Sequence, residues 1–291
     1  KLDYSSEMAY SRSIAPNRER FRQWIGAVDQ RVTSAAGHSG QIESFAPLGS
    51  ELTLARAGDI EVQAVRWPVL EGVSAEGLLL RPKQIRAALI LLPDAVGTPE
   101  SLCGLSDNEN DGVKWPPTTT SLARRLAAAG CLVLVPAILT QGTTESGHPS
   151  VYFTNETHRE FLYRQAFSAG RHVIGYEVQK ILAAVDLLQD FNARALSRNN
   201  RPIDRTTSEV NEPRDSAALS TRACLPMGVA GIGEGGLLAF YAAAVDPRID
   251  AVLVSGYFGP RERVWEEPVY RNVWRLLTEF GDAEIARLIA P

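Results

Sequence analysis

The pattern of apolar and polar positions divides the chain into stretches with different periodicities. Residues 17–30 carry apolar side chains at helical spacing, which predicts an amphipathic helix. Within residues 51–80, apolar and polar positions alternate in three short runs, as is typical of antiparallel strands at a sheet edge. From residue 87 onward, continuous apolar runs alternate with helical patterns. This order predicts a mostly parallel sheet flanked by helices, and therefore an α/β fold.

Four of the apolar runs have the length and composition of buried strands. They lie at 87–92, 131–139, 227–231 and 249–257. Helices are predicted at 118–129, 163–188, 235–245, 272–280 and 283–289. The second of these helices contains Gly170 and Gly175, and because glycine weakens a helix we expect a break or bend there.

Two segments fall outside this rhythm. Residues 1–50 are predicted to form a helical extension and a linker with a flexible joint at 34–40, and residues 51–291 to form the α/β domain. Residues 198–226 are rich in Arg, Asn, Ser, Thr, Asp and Pro and have no apolar periodicity, which predicts an exposed loop inserted between a helix and the next strand. A binding role for this loop is the alternative.

Composition and charge exclude several classes of protein. Of the 291 residues, 45% are hydrophobic and 22% are charged, as in ordinary globular domains. The net charge of −4 provides no strongly basic surface for nucleic acid. The apolar runs are far shorter than the roughly 20 residues of a membrane-spanning helix, and three scattered cysteines make no disulfide framework. The compartment stays open, since a signal removed before Lys1 would make the protein secreted or periplasmic.

A glycine-packed turn joins the predicted strand 227–231 to the predicted helix 235–245. Its sequence, Gly231-Ile-Gly-Glu-Gly235, resembles the nucleophile elbow of the α/β-hydrolase fold, normally Gly-x-Ser-x-Gly. The flanking glycines Gly231 and Gly235 suit a turn so tight that the start of the helix packs against the strand. At this turn, Gly233 stands where the serine would be.

Other segments extend the resemblance over about residues 60–291. Residues 87–97 are similar to the third strand and oxyanion loop of the family, and residues 246–259 to its dienelactone-hydrolase and acetyl-xylan-esterase-like branch. The resemblance implies hydrolysis of carboxylic esters, often of carbohydrates or small organic acids, without a cofactor. It also implies that the backbone N–H groups of Ala95 and Glu234 form the oxyanion hole.

The chain departs from the family at its catalytic residues. Glycine at position 233 has no side chain that can attack an ester. The fold places the acid and the histidine after the nucleophile, but every histidine of this chain precedes Gly233. Residues 260–291 contain no further buried strand. We therefore expect the sheet to lack its C-terminal strands within this chain. Those strands would come from a continuation of the chain or from a second chain, or they have been lost.

Two carboxylates are candidates for chemistry at the turn. Glu234 is a candidate nucleophile or general base; the alternative is a carboxylate at the start of a helix, where the helix dipole favours it by about 0.3–1 kcal/mol. Asp94 follows strand 87–92 and is a candidate for orienting a water or a sugar hydroxyl; the alternative is a strand-terminating turn.

Residues 154–177 combine histidines, arginines and carboxylates with aromatic residues. His158, Arg164 and Arg171 are candidate substrate-binding residues, because an arginine can clamp a substrate carboxylate. The alternative is a helix whose polar side forms ion pairs. We expect no zinc site, because His158 and His172 are fourteen residues apart and have no neighbouring cysteine or His-Glu-x-x-His spacing.

Two functional hypotheses and one rival follow. The first is a hydrolase-fold relative of ester hydrolases whose activity is in doubt, and the second is a non-catalytic domain that binds a small ester, a carbohydrate-derived ligand or a partner. The rival is a dinucleotide loop, since Gly231, Gly233 and Gly236 also satisfy Gly-x-Gly-x-x-Gly. Against it, several strands precede the turn, and Asp250 begins a strand instead of ending one.

Overall fold

The computed structural model describes residues 2–32, 42–44, 53–108, 112–114, 121–143, 156–199, 225–261 and 263–289. The predicted joint at 34–40 and nearly all of the polar segment 198–226 lie outside these ranges. In chain order the strands are β1 Glu43–Ser44, β2 Thr53–Ala57, β3 Ile60–Leu70, β4 Val73–Pro82, β5 Ala87–Leu92, β6 Ser106–Asn108, β7 Gly112–Lys114, β8 Cys131–Pro136, β9 Met227–Ile232 and β10 Ala251–Ser255. The helices are α1 Glu7–Trp24, α2 Pro99–Cys103, α3 Leu122–Ala128, α4 His158–Ser168, α5 Val173–Asn199, α6 Glu234–Val245 and α7 Asp282–Ile289.

Eight strands form one mixed sheet in the order β1-β3-β4-β8-β5-β9-β10, with β2 also paired to β3. Strands β8, β5, β9 and β10 run parallel to one another. The other pairs of this sheet are antiparallel: β1 with β3, β2 with β3, β3 with β4, and β4 with β8. Two hydrophobic clusters lie against the sheet, one under α1, α5, α6 and α7 and the other under α2 and α3. The predicted α/β class is confirmed, as are the antiparallel strands at one edge. Among the described pairs of this sheet, however, three are parallel and four antiparallel, so the sheet is mixed where a mostly parallel one was expected.

The central strand β5 shows why a continuous apolar run becomes a strand buried on both faces. Ile90 and Leu92 point into the larger cluster, and Leu91 between them points into the smaller one. Successive side chains of a strand face opposite sides, so a strand covered on both sides needs apolar residues at every position.

Helix α1 begins ten residues before the predicted helix and belongs to the main core. Ser6 caps it by accepting a hydrogen bond from the N–H of Ala9. Its buried Phe21 makes edge contacts with Tyr241 and Phe280, at ring-centroid distances of 5.1 and 5.4 Å. The N-terminal helix therefore packs in the same hydrophobic cluster as α6 and the segment before α7.

The predicted helix 163–188 is two helices, α4 and α5. The break is at Gly170, which has a φ of +69°. Gly175 lies inside α5, where an added Cβ would be 2.6 Å from the carbonyl oxygen of Gly26. The first glycine thus ends a helix, and the second lets a helix approach the segment after α1 closely.

The sheet ends at β10, which pairs only with β9 among the described residues. Ala251, Leu253 and Ser255 are exposed along it. After β10 the chain forms three short 3-10 turns, Val264–Glu266, Val269–Arg271 and Leu276–Thr278, and then α7. The predicted α-helix 272–280 is therefore wrong: within this range only Leu276–Thr278 is helical, and it forms a 3-10 turn.

Candidate functional site

The turn between β9 and α6 is as tight as its glycines predict. A Cβ added at Gly231 would lie 2.6 Å from the N of Gly236, and one added at Gly235 would lie 2.7 Å from the carbonyl oxygen of Leu92. Gly233 has φ +56° and ψ −117°, a conformation that residues with a Cβ rarely adopt. Its N–H donates to the carbonyl oxygen of Ser255 at 2.8 Å.

Asp94 occupies the space over this turn. Its Oδ1 accepts hydrogen bonds from the backbone N–H of Glu234 at 2.9 Å and from its neighbour Ala95 at 2.8 Å. A Cβ added at Gly233 would lie 2.6 Å from Asp94 Cγ and 2.9 Å from its Oδ2. The carboxylate therefore fills the place of a side chain at position 233, bonded to the two N–H groups that the family resemblance assigns to an oxyanion hole.

The second carboxylate oxygen of Asp94, Oδ2, does not share the hydrogen bonds of Oδ1. The part of the chain that the structure describes offers no hydrogen-bond partner for Oδ2, and the Asp94 residue is partly exposed. Gln141 donates its N–H to the carbonyl oxygen of Ala95 at 3.0 Å, which ties the loop after β8 to this site. The site thus presents one negatively charged acceptor at the carboxyl ends of the parallel strands.

The Glu234 side chain leaves the turn and is fully buried. Its Oε1 accepts from Arg159 Nη2 at 3.1 Å, and its Oε2 pairs with Arg271 Nη2 at 2.8 Å. Arg159 is also fully buried and forms a second ion pair with Glu177. Although burial opposes the charged guanidinium, Glu177 and Glu234 raise the pKa of Arg159 above its usual value. Glu234 is therefore an internal counterion.

These ion pairs continue toward the segment after β10. Arg271 lies 3.5 Å from Glu267, which pairs with Arg261 at 2.8 Å, and Arg261 pairs in turn with Asp282 at 3.1 Å. Alternating charges thus join α4, α5 and α6 to the 3-10 turns and α7. Breaking one member would leave a buried charge without its partner, which is expensive.

The two arginines named in the sequence analysis are engaged elsewhere. Arg164 is exposed on α4 and pairs with Glu156 at 3.2 Å and Glu160 at 2.7 Å. Arg171 binds both oxygens of Asp29 through Nε and Nη2. None of these contacts involves the β9–α6 turn, so their proposed role in substrate binding stays a prediction without support from these contacts.

The two described histidines differ. His158 begins α4, donates its backbone N–H to Gly142 at 2.8 Å, and has a buried Nδ1 without a hydrogen bond. Burial lowers the pKa of His172 to about 4. Its Nδ1 accepts from the N–H of Ile174, so the neutral ring donates through Nε2 to the carbonyl oxygen of Asn272. His172 therefore has a structural position.

Sequence reasoning missed Arg159 and Arg271, the partners of Glu234. They are separated from it by 75 and 37 positions, and neither lies in a recognisable motif. Among the described residues, no group of three or more His, Cys, Asp or Glu side chains is placed to hold a metal ion. The helices of these residues include none with the length and apolarity to span a membrane.

No protein-family profile and no curated protein sequence matches the chain. Among solved structures, it is similar to a candidate acetyl xylan esterase from Bacteroides fragilis, with a TM-score of 0.59, 13% identity, and coverage of 100% of this chain and 68% of that one. Acetyl xylan esterase 1 from a Thermoanaerobacterium species matches with a TM-score of 0.39, 16% identity, and coverage of 93% and 76%. Glucuronoyl esterase from Solibacter usitatus matches with a TM-score of 0.40 and 13% identity, and the match covers 85% of this chain and 59% of that one. The first match confirms the α/β-hydrolase fold; the scores of the others are too low to add to it.

Proposed function

We propose that this chain is a non-catalytic relative of carbohydrate-ester hydrolases that binds a hydroxyl-bearing ligand at Asp94. One observation supports the proposal: the Asp94 carboxylate accepts hydrogen bonds from the N–H groups of Ala95 and Glu234, the two donors that the family resemblance assigns to an oxyanion hole. An ester hydrolase needs those donors for the negative oxygen that develops on the carbonyl. Here they are bonded to a carboxylate of the protein itself.

Electrostatics makes this arrangement unfavourable for ester hydrolysis. Losing one donor of an oxyanion hole costs roughly 10²–10³ in rate in a serine protease, and Asp94 engages both donors. Its charge would also repel a developing oxyanion at short range. Gly233 supplies no nucleophile, and the Glu234 carboxylate is fully buried between two arginines. These contacts favour a structural role for Glu234 over its alternative as nucleophile or general base.

The same charge selects the kind of ligand. Asp94 Oδ2 is an acceptor at the strand ends, where ligands bind in open α/β sheets. A sugar hydroxyl can donate to it, whereas an anionic ligand is repelled. The structural relative is a candidate esterase of acetyl xylan, a carbohydrate ester. A dinucleotide is disfavoured, because its pyrophosphate would need the helix start that Asp94 occupies.

Activity and binding assays test the proposal. We expect the parent protein to hydrolyse p-nitrophenyl acetate no faster than buffer. Gly233→Ser should remain inactive, because every histidine of this chain precedes position 233 and the added hydroxyl lacks the base that the family places after it. Xylooligosaccharide binding, measured by calorimetry, should weaken in Asp94→Ala and be unchanged in Asp59→Ala, an exposed aspartate of the β2–β3 turn. Turnover by the parent that disappears in Asp94→Asn would show a catalytic site and overturn the proposal.

We also propose that a further strand pairs with the open edge of β10, from a continuation of the chain or a second chain. The edge sequence Ala251–Ser255 has no charge, and Leu253 is 57% exposed. Such an edge invites pairing unless it is covered. Sedimentation of the parent, Leu253→Lys and the control Val73→Lys tests the second-chain form: self-association that Leu253→Lys alone removes supports it, and a monomer at all concentrations contradicts it.

A further inference from the structure

A cavity of about 530 Å³ lies between α4 and the 3-10 turns that follow β10. The residues that line it include Tyr163 and Phe167 from α4 and residues 271–278 from the turns. Residues 93–97 and the β9–α6 turn do not line it, so it is separate from the Asp94 carboxylate. Its volume is within the range of small-molecule sites, about 300–1,000 Å³.

The charged groups of the cavity have one sign. Arg261, Arg271 and Arg275 line it, and the described lining residues include no carboxylate. Arg261 and Arg271 are compensated by carboxylates outside the lining: they share Glu267, and each has a second partner, Asp282 and Glu234 respectively. Arg275 has no ion-pair partner in the described ranges. The Arg275 guanidinium instead lies 5.2 Å from the centre of the Trp24 ring. The cavity is therefore suited to an anionic group, and Arg275 is its least compensated cation.

Arg275 also has an unusual backbone. Its φ of +60° is the one positive value among the described residues other than glycine. Such a conformation costs of order 1–3 kcal/mol and persists only where surrounding contacts impose it. This backbone conformation lies at the start of the Leu276–Thr278 turn, where Arg275 lines the cavity.

Flat apolar surfaces complete the cavity. Trp274 and Phe167 are 74% and 56% exposed. Phe167 is supported by Tyr163, at a ring-centroid distance of 6.0 Å, and Tyr163 packs edge-on against His172 at 5.2 Å. His172 in turn holds the carbonyl oxygen of Asn272 at 3.1 Å. The wall opposite the turns is thus fixed before any ligand binds, which lowers the entropy cost of binding.

We propose that this cavity binds a small carboxylate that carries a flat aromatic ring. The ring packs against Trp274 and Phe167, and the carboxylate accepts hydrogen bonds from the Arg275 guanidinium, whose planar donors match a carboxylate. This proposal is independent of the function proposed for Asp94, since the two sites share no lining residue.

Calorimetric titration of the parent protein with cinnamate, and with cinnamyl alcohol as its neutral counterpart, tests both parts of the proposal. We expect cinnamate to bind and the alcohol to bind at least about tenfold more weakly, because a charge-assisted hydrogen bond is worth about 1.5–3 kcal/mol. Arg275→Gln should weaken cinnamate by a similar factor, and Trp274→Ala should weaken both compounds.

Two residues at the Val264–Glu266 turn, neither of which lines the cavity, serve as matched controls. Arg263→Gln and Trp265→Ala change side chains that are 72% and 71% exposed, and should bind cinnamate like the parent. If Arg275→Gln unfolds because it loses the Trp24 contact, Trp274→Ala and Phe167→Ala still test the site on exposed side chains. Absence of cinnamate binding at millimolar concentration, equal binding of the alcohol, or unchanged binding by Trp274→Ala and Phe167→Ala would each overturn the proposal.

Discussion

Replacing Gly233 by alanine tests the fit between this glycine and the Asp94 carboxylate. The new Cβ would lie 2.6 Å from Asp94 Cγ, so the carboxylate must leave the N–H groups of Ala95 and Glu234. Losing two charge-assisted hydrogen bonds of at least about 1.5 kcal/mol each costs about 3 kcal/mol. Backbone strain at a φ of +56° adds about 1–3 kcal/mol.

Gly58→Ala separates the two contributions. Gly58 has a φ of +59°, but an added Cβ there meets no atom within 4 Å, so the variant bears backbone strain alone. Chemical denaturation should therefore give a loss about 3 kcal/mol larger for Gly233→Ala than for Gly58→Ala. In an Asp94→Ala background no carboxylate is displaced, so Gly233→Ala should cost about 3 kcal/mol less than it does in the parent. Equal losses for the two glycine variants, or additivity of Gly233→Ala with Asp94→Ala, would refute the reasoning.

Two further predictions concern buried charge and pH. Glu234→Gln leaves Arg159 and Arg271 without their shared counterion and should lower the free energy of unfolding by about 3–5 kcal/mol. Arg164→Ala changes an exposed ion pair and should leave the free energy of unfolding nearly unchanged. Similar denaturation midpoints for the two variants would contradict this prediction. The pKa of His172 is about 4 in the folded protein, against an ordinary 6.5. As the pH falls, the unfolded chain therefore binds a proton at this histidine at a higher pH than the folded protein does. This contribution to stability, about 3 kcal/mol at most, is present above pH 6.5 and is lost as the pH falls toward 4. His172→Gln should flatten that decline in denaturation curves measured from pH 7 to 4, and parallel curves would count against it.

Elements with a strong local pattern were predictable from the sequence. Strand β5 has the predicted bounds, 87–92, because every position of a strand buried on both faces must be apolar. The glycine-packed turn was predictable because close approach of α6 to β9 leaves no room for side chains at 231 and 235. In these places the short-range pattern and the final packing impose the same requirement.

Elements shaped by distant contacts were not predictable. The first nine residues of α1 mix polar and apolar side chains and are followed by Pro16, and the predicted helix began only at residue 17. Tyr10 and Ile14 nevertheless pack into the main core. Arg159 and Glu234 meet across 75 positions. The contact of Asp94 with the turn joins residues 140 positions apart, and only the folded chain shows that a missing Cβ makes room for a carboxylate.

A crystal structure of the protein grown in acetate tests the central claim most directly, because acetate competes with Asp94 for the same two N–H groups. The account predicts Asp94 Oδ1 within hydrogen-bond distance of the backbone nitrogens of Ala95 and Glu234, and no acetate there. In crystals of Asp94→Ala, an acetate or water oxygen should replace it. An acetate bound to both nitrogens in the parent, with the Asp94 side chain turned away, would contradict the account.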